Sequence, residues 1–303
     1  RRRRRRRRGM KIILVVLIIS VSCTTRMKRV VHGIPTPWTD SSAIVSLESS
    51  YPHERSVTLC GGTIIAPRVI ITAAHCVFND KLHKIASTVR VRVAFNRTSP
   101  HEGKTFLTND ILIHPQYIPA RFPAAFDLAM ILLSIDDELS LCDFVTSPQL
   151  ARLPSSQLDF VDFKNEKCYT VGWGKMENNR YSGVPQHANI INVNETPDYH
   201  FRATVIQGIG EGDQRACFGD SGGPLICEID HIPYLIGVSS EIHSDNTIDS
   251  SIPLESSRRC VYSKKLHAVD IRKQMRTILS LLASRGLLHS MIDSQNECFR
   301  RNE

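Results

Sequence analysis

Apolar and β-branched residues come in short runs separated by turn residues along most of the chain, at 43–47, 57–65, 69–73, 89–95, 128–133, 169–171, 203–206 and 234–239. Runs of this kind predict strands, and their number predicts an all-β fold. Near the C-terminus the period changes: Ile271, Met275, Ile278 and Leu282 recur at i, i+4, i+7 and i+11, with Arg272, Lys273 and Arg276 off that stripe. This spacing predicts a terminal helix whose apolar face packs on the core. Roughly 270 residues follow the N-terminal leader, ample for a sizeable core, and all-β classes reach that length as one domain. No internal repeat or low-complexity linker interrupts them.

The leader alters the charge picture. Residues 12–19 are an apolar core between Lys11 and Ser20-Val21-Ser22, as in a secretory signal over 10–22. The core falls short of the ~20 apolar residues that span a bilayer. Residues 1–9, led by eight arginines, are expected to be a tag or upstream sequence. The competing reading is a retained anchor with its basic residues inside. The formal charge of the chain is +8, but twelve of its 38 lysines and arginines, and none of its 30 acidic residues, lie in the first 29 positions. The remainder carries 26 cations against 30 anions, a net −4. It therefore lacks the positive field that a nucleic-acid partner requires. Of nine cysteines, eight remain if Cys23 leaves with the leader, and an even set points to an oxidising compartment. Two sequons, at Asn96 and Asn194, fit a secreted glycoprotein.

Candidate chemistry centres on Gly219-Asp220-Ser221-Gly222-Gly223-Pro224, with Thr72-Ala73-Ala74-His75-Cys76 and Phe126-Asp127-Leu128-Ala129 upstream. A glycine-serine run alone is most simply a flexible surface turn. Beside a histidine and an aspartate it reads as nucleophilic chemistry. A serine hydroxyl attacks an acyl carbon only if a base takes its proton, and a carboxylate can orient that base and stabilise its cation. Glycine at 219 lets the N–H groups of Gly219 and Ser221 converge on a developing oxyanion.

These segments, in the order His, Asp, Ser, resemble the trypsin/chymotrypsin family of serine proteases over roughly residues 30–282. The resemblance implies two antiparallel six-stranded β-barrels, an active site between them and a C-terminal α-helix. It assigns His75 as base, Asp127 as its orienting carboxylate and Ser221 as nucleophile, within a protease domain at 30–285 and a C-terminal extension at 286–303. It also implies Cys60–Cys76 and Cys168–Cys227 bridges. Cys217 would pair with Cys260, a partner later in the chain than the family's usual one, and Cys142 and Cys298 are left for each other. A further family bridge near Trp173 has no counterpart.

Residues 23–29 resemble an activation propeptide. Cleavage after Arg29 would free the Val30 ammonium to pair with Asp220 and order the oxyanion turn. Arg26-x-Lys28-Arg29 suits either a furin-like convertase or any trypsin-like activator. Around the substrate pocket the chain departs from the family. Arg215 stands where trypsins have aspartate, and Glu241 and Ile242, after Ser240, stand where tryptophan and glycine are usual. Three pockets follow: one that takes acidic side chains on Arg215, one neutralised by a Glu241–Arg215 pair for small or apolar residues, and one occluded. The long segment 243–259 suggests an exosite or lid. The leading expectation is a secreted serine endopeptidase of non-tryptic specificity, made as a zymogen, with protein or peptide substrates, an activating protease and protein inhibitors as partners. It needs no cofactor or metal and no stable membrane insertion. The alternative is a secreted, catalytically inactive protease-like binding protein.

Overall fold

The computed structural model describes residues 31–36, 43–93, 103–119, 126–134, 152–198, 203–243, 257–289 and 291. Arg29, Val30, Asn96, Cys142 and Cys298, the leader, residues 244–256 of the exosite or lid segment and most of the extension lie outside these residues.

The first barrel is built from β2 (Ile44–Ser50), β3 (Thr58–Ala66), β4 (Val69–Thr72), β7 (Thr88–Val93), β8 (Lys104–Thr108), β9 (Asp110–Ile113) and β10 (Ala129–Leu132). A short β1 (Ile34–Pro35) precedes them, and β5 (Phe78–Asn79) pairs with β6 (Lys84–Ile85) as a separate ribbon. The sheet order is β8-β7-β2-β3-β4-β10-β9, every pairing antiparallel. Its two edge strands are consecutive in the chain and separated only by Asn109, so one bent strand curls the sheet round on itself. Period-2 alternation decides the faces. In β7, Val89, Val91 and Val93 are buried, while Arg90 and Arg92 turn outward and each meets Glu48 of β2 at 2.8 Å. Strands β4 and β10 are buried at every position and are accordingly apolar, except for Thr72 at the end of β4, whose hydroxyl donates to Gly61 O at 2.8 Å.

The second barrel comprises β11 (Lys167–Gly172), β12 (Gln186–Asp198), β13 (Ala203–Gly210), β14 (Pro224–Ile229), β15 (Ile232–His243) and β16 (Lys265–Asp270). Its order is β12-β11-β14-β15-β16-β13, and a β12–β13 pairing closes the ring, with β1 attached outside β12. Ile190, Ile206, Leu225, Ile236, Leu266 and Ala268 fill it. Ahead of β11, Arg152 forms a parallel bridge to Tyr234 of β15.

A short α1 (Ser257–Tyr262) precedes β16, and α2 (Ile271–Ser284) follows it directly. Asp270 caps α2 by accepting from Arg272 N at 3.0 Å, and Ile271, Ile278 and Leu282 are buried as their spacing predicts. Arg272 departs from the stripe reading, because it too is buried. Its guanidinium meets both oxygens of Asp270 at 3.0 and 2.7 Å, Leu158 O at 3.0 Å and Glu195 at 2.8 Å, and lies over the Phe163 ring. A buried carboxylate at the cap requires a cation within reach, and position 272 supplies it.

Among the described residues, three disulfides brace this frame. Cys60–Cys76 ties β3 to the turn after β4, Cys168–Cys227 joins register partners of β11 and β14, and Cys217–Cys260 links the segment before β14 to α1.

Candidate active site

His75 lies on a single 3-10 turn, Ala74–Cys76, that leaves the end of β4, and the Cys76 bridge holds this turn against β3. Asp127 sits just ahead of β10. Because β10 pairs with β4, the two residues meet although 52 positions separate them. Asp127 Oδ1 accepts from His75 N at 2.9 Å, while Oδ2 lies 2.6 Å from His75 Nδ1 and accepts from Ser240 Oγ at 2.5 Å. A carboxylate can only accept, so the Nδ1 proton is held on Asp127 and the Nε2 lone pair is left free to act as a base. Burial favours the neutral form of both groups, but each one's charge and hydrogen bond to the other outweigh it. The His75 pKa is raised and that of Asp127 is lowered.

Ser221 stands on the loop between β13 and β14, where two glycines adopt left-handed conformations. Gly219 has φ 97° and Gly222 has φ 76°. A Cβ at 222 would also come within 2.2 Å of Thr72 Oγ1 and 2.5 Å of Gly61 O, so only glycine allows the loop to approach the first barrel. The loop is stitched to both barrels. Gly61 N donates to Ser221 O at 2.8 Å, Gly222 N to Ser239 O at 2.7 Å and Ser239 N to Gly223 O at 2.9 Å. The N–H groups of Gly219 and Ser221 donate to no acceptor among the described residues. Asp220 is buried and accepts from Gly174 N at 2.8 Å and Cys217 N at 2.9 Å. Burial outweighs those bonds and pushes its pKa up to about 6.

Ser221 and His75 border one cavity of about 580 Å³, walled by Ala216, Cys217, Phe218, Ser239, Ser240 and Ile242, with Glu241, His243 and Arg259 adding polar and charged groups. His75 Nε2 lies 3.8 Å from Cys76 Sγ and makes no hydrogen bond to Ser221 Oγ. Arg215 is not in the cavity wall. Its side chain folds back, with Nη1 donating to the carbonyls of Gly210, Gly212 and Gln214 at 3.1, 2.7 and 2.5 Å, and its backbone bridges Val31. The Glu241–Arg215 pair, which would make one of the three pockets that the sequence left open, does not form. Glu241 meets His243 Nε2 at 2.7 Å instead. Three carbonyls of the 210–214 turn thus hold Nη1 without either a substrate or a glutamate, while Nε is buried without a hydrogen-bond partner among the described residues. Asn194 lies in β12 with its amide donating to Asn192 O, and its Oδ1 accepts from Thr196 Oγ1.

The bond from Ser240 to Asp127 has no signal in the sequence, since 113 residues separate the two. Two side-chain groups have metal-ligand composition among the described residues. Cys60, His75 and Cys76 form one, but both thiols are consumed by the disulfide, and Glu241, His243 and His267 form the other.

Two antiparallel barrels with a histidine–aspartate pair on the first and a glycine-flanked serine loop leading into the second define the double-barrel class of chymotrypsin-like folds. The family model described as Trypsin matches residues 30–256, and the chain belongs to that family. It is 31% identical over 229 residues to coagulation factor XI of Bos taurus, covering 72% of this chain and 34% of that protein. It is 30% identical over 217 residues to chymotrypsin-like elastase family member 1 of Rattus norvegicus, covering 67% and 75%. It is 31% identical over 208 residues to human transmembrane protease serine 5, covering 63% and 43%. The chain thus spans about a third of the factor XI relative and most of the elastase. A solved structure titled HL collagenase superposes with a TM-score of 0.61 over 84% of this chain and 98% of that one, and at 22% identity it bears on the fold. Among the described residues, no helix is long and apolar enough to cross a membrane.

Proposed function

We propose that this chain is a secreted serine endopeptidase that hydrolyses peptide bonds through an acyl-enzyme on Ser221. The observation that carries the reading is the locked Asp127–His75 pair opening onto the same cavity as Ser221. His75 Nε2 takes the Ser221 proton as Oγ attacks the scissile carbonyl, and later returns it to the leaving amine. Asp127 holds the tautomer and stabilises the imidazolium. The uncommitted N–H groups of Gly219 and Ser221 receive the oxyanion, where losing one donor typically costs about 3 kcal/mol of barrier. The Ser221–His75 hydrogen bond forms when substrate excludes water, as catalytic bonds that are loose in free enzymes commonly do. Ser240 acts as a positioning residue for Asp127.

The chain is made as a zymogen, and cleavage after Arg29 supplies the Val30 ammonium that neutralises Asp220. Specificity is non-tryptic. The wall presents Ala216, Ser239 and Leu266, its glutamate is engaged by His243, and Arg215 lies outside the wall with Nη1 held by carbonyls, so small or apolar side chains suit the pocket best.

In the protein cleaved after Arg29, a phosphonate ester probe should label Ser221, and Ser221→Ala or His75→Ala should abolish labelling and peptide hydrolysis alike. A folded, processed protein that is never labelled would instead be a protease-like binding protein. A diverse peptide library should show cleavage after small or apolar residues, and efficient cleavage after Lys or Arg would overturn the pocket assignment.

A further inference from the structure

The cavity ends in a rim where β15 passes Ser240. The β15–β16 ladder pairs Ser239 with Ala268 and then Glu241 with His267, so Ser240 is an extra residue, a bulge in β15. In an unbroken ladder Leu266 would stand opposite Glu241, and the bulge brings His267 there instead. His243, two residues further along, shares the face of Glu241. A carboxylate and two imidazoles are thereby gathered with their ligand atoms all within 4.8 Å of one another. The His243 and His267 rings stand 4.2 Å apart between centroids, and His243 Nε2 is 2.7 Å from Glu241 Oε2. Glu241 and His243 line the catalytic cavity, and His267 is outside its wall.

We propose that Glu241, His243 and His267 form a binding site for a zinc-like divalent transition metal at the rim of the catalytic cavity, and that the bound ion restricts substrate access. Two imidazole nitrogens with one carboxylate oxygen are a donor set for zinc, whereas calcium and magnesium prefer oxygen alone. Tetrahedral ligands at ~2.1 Å from an ion lie roughly 3.4 Å from one another, so rotations of these incompletely buried side chains suffice to close the set. His267 also has the support that metal-binding histidines characteristically have. Its Nε2 lies 3.1 Å from Gln207 Oε1, which accepts the Nε2 proton, leaves Nδ1 as the ligand and orients the ring. Lys265, the ladder partner of His243, opposes a second cation and limits the affinity.

The access step rests on the endopeptidase reading. Strand β15 pairs with β14 only as far as Val238, so from Ser240 to His243 it is laddered on one side by β16, and its residues there border the cavity. An extended substrate would lie along that free edge. An ion fixing Glu241 and His243 in place narrows the entrance and exchanges a negative wall for a positive one.

The test uses untagged protein cleaved after Arg29 and stripped with a chelator, titrated with zinc chloride by calorimetry and in a peptide-hydrolysis assay, with magnesium chloride as comparison. Zinc should bind at one ion per chain and lower turnover, and magnesium should do neither. His267→Ala, His243→Ala and Gln207→Ala should each weaken zinc binding by at least about tenfold. Each should raise the half-inhibitory zinc concentration, measured against that variant's own metal-free rate, by a similar factor. His243 is a half-exposed rim side chain, so its variant remains informative even if the His267 variant misfolds. Absence of zinc binding to the unmodified protein would overturn the site, as would His243→Ala and Gln207→Ala variants that bind zinc like the parent, since the ion would then sit elsewhere, for example on His75. Zinc binding with the stated dependence but unchanged turnover would overturn the access step alone. A metal-free protein that hydrolyses no peptide would count against the endopeptidase reading, while the calorimetric comparison would still decide the site.

Discussion

At the scale of single residues, Asp127 governs what His75 can do. Its carboxylate holds the Nδ1 proton and raises the imidazole pKa, so turnover should rise with pH through a value above 6.5 as the base becomes neutral. Asp127→Asn presents an amide that can hold the wrong tautomer, and it removes the charge that raises the pKa. The variant should lose about four orders of magnitude in kcat, and its residual pH profile should shift downward. Stopped-time peptide hydrolysis between pH 5 and 9 measures both effects, and an unchanged inflection would show that Asp127 does not control the His75 charge. Arg215 teaches the converse. Its identity at a pocket position invites a role in substrate charge, yet a long side chain has several acceptors within reach, and the carbonyls of the 210–214 turn take it.

At the scale of elements, the junction of β16 and α2 shows how a helix start can be fixed by an ion pair. Asp270 caps the helix, and Arg272, two residues on, covers both of its oxygens. Removing the cation leaves a buried anion without a partner, so Arg272→Ala should cost about 3–5 kcal/mol in urea unfolding. Replacing the pair together, as Asp270→Asn with Arg272→Met, should cost much less, because no charge is then stranded. The strand set was legible where runs were mostly apolar or β-branched, as in β3, β4 and β10. It was not legible in 104–113 or 186–198, where most residues of Lys104–Thr108 are exposed and Gln186–Asp198 is rich in polar side chains. Those segments are strands because neighbours supply their ladder partners, which a local window does not contain.

At the scale of the whole molecule, the proposed zymogen reading makes Asp220 the link between the start of the protease domain and the oxyanion turn. Its pKa, raised by burial from 3.8 to about 6, is that of a carboxyl whose charged form is penalised in the fold. A raised folded-state value means that its contribution to stability is full below pH 3.8 and is lost as pH rises through about 6. The uncleaved Arg29→Gln protein should therefore lose about 2 kcal/mol between those limits, and about 3 kcal/mol once the pH is well above 6, and show little activity. Cleavage after Arg29 should relieve most of that loss by supplying an ammonium. Urea unfolding of cleaved and uncleaved protein across pH 4 to 7 checks this, and parallel curves would exclude Asp220 as the sensor of cleavage.

The amino-acid sequence by itself determined the all-β class and the terminal helix, which are written in local spacing, and the His-Asp-Ser order, whose resemblance to a known family implied the three described bridges. The positions of His75, Asp127 and Ser221 were legible for the same reason. Which groups face one another was decided only by the tertiary structure. The hydrogen bond from Ser240 to Asp127, the retreat of Arg215 from the cavity, the pairing of Glu241 with His243, and the approach of His267 through a one-residue bulge all depend on strand register and curvature. A shift of one residue in a ladder changes every partner beyond it, and no local pattern in the chain encodes where that shift occurs.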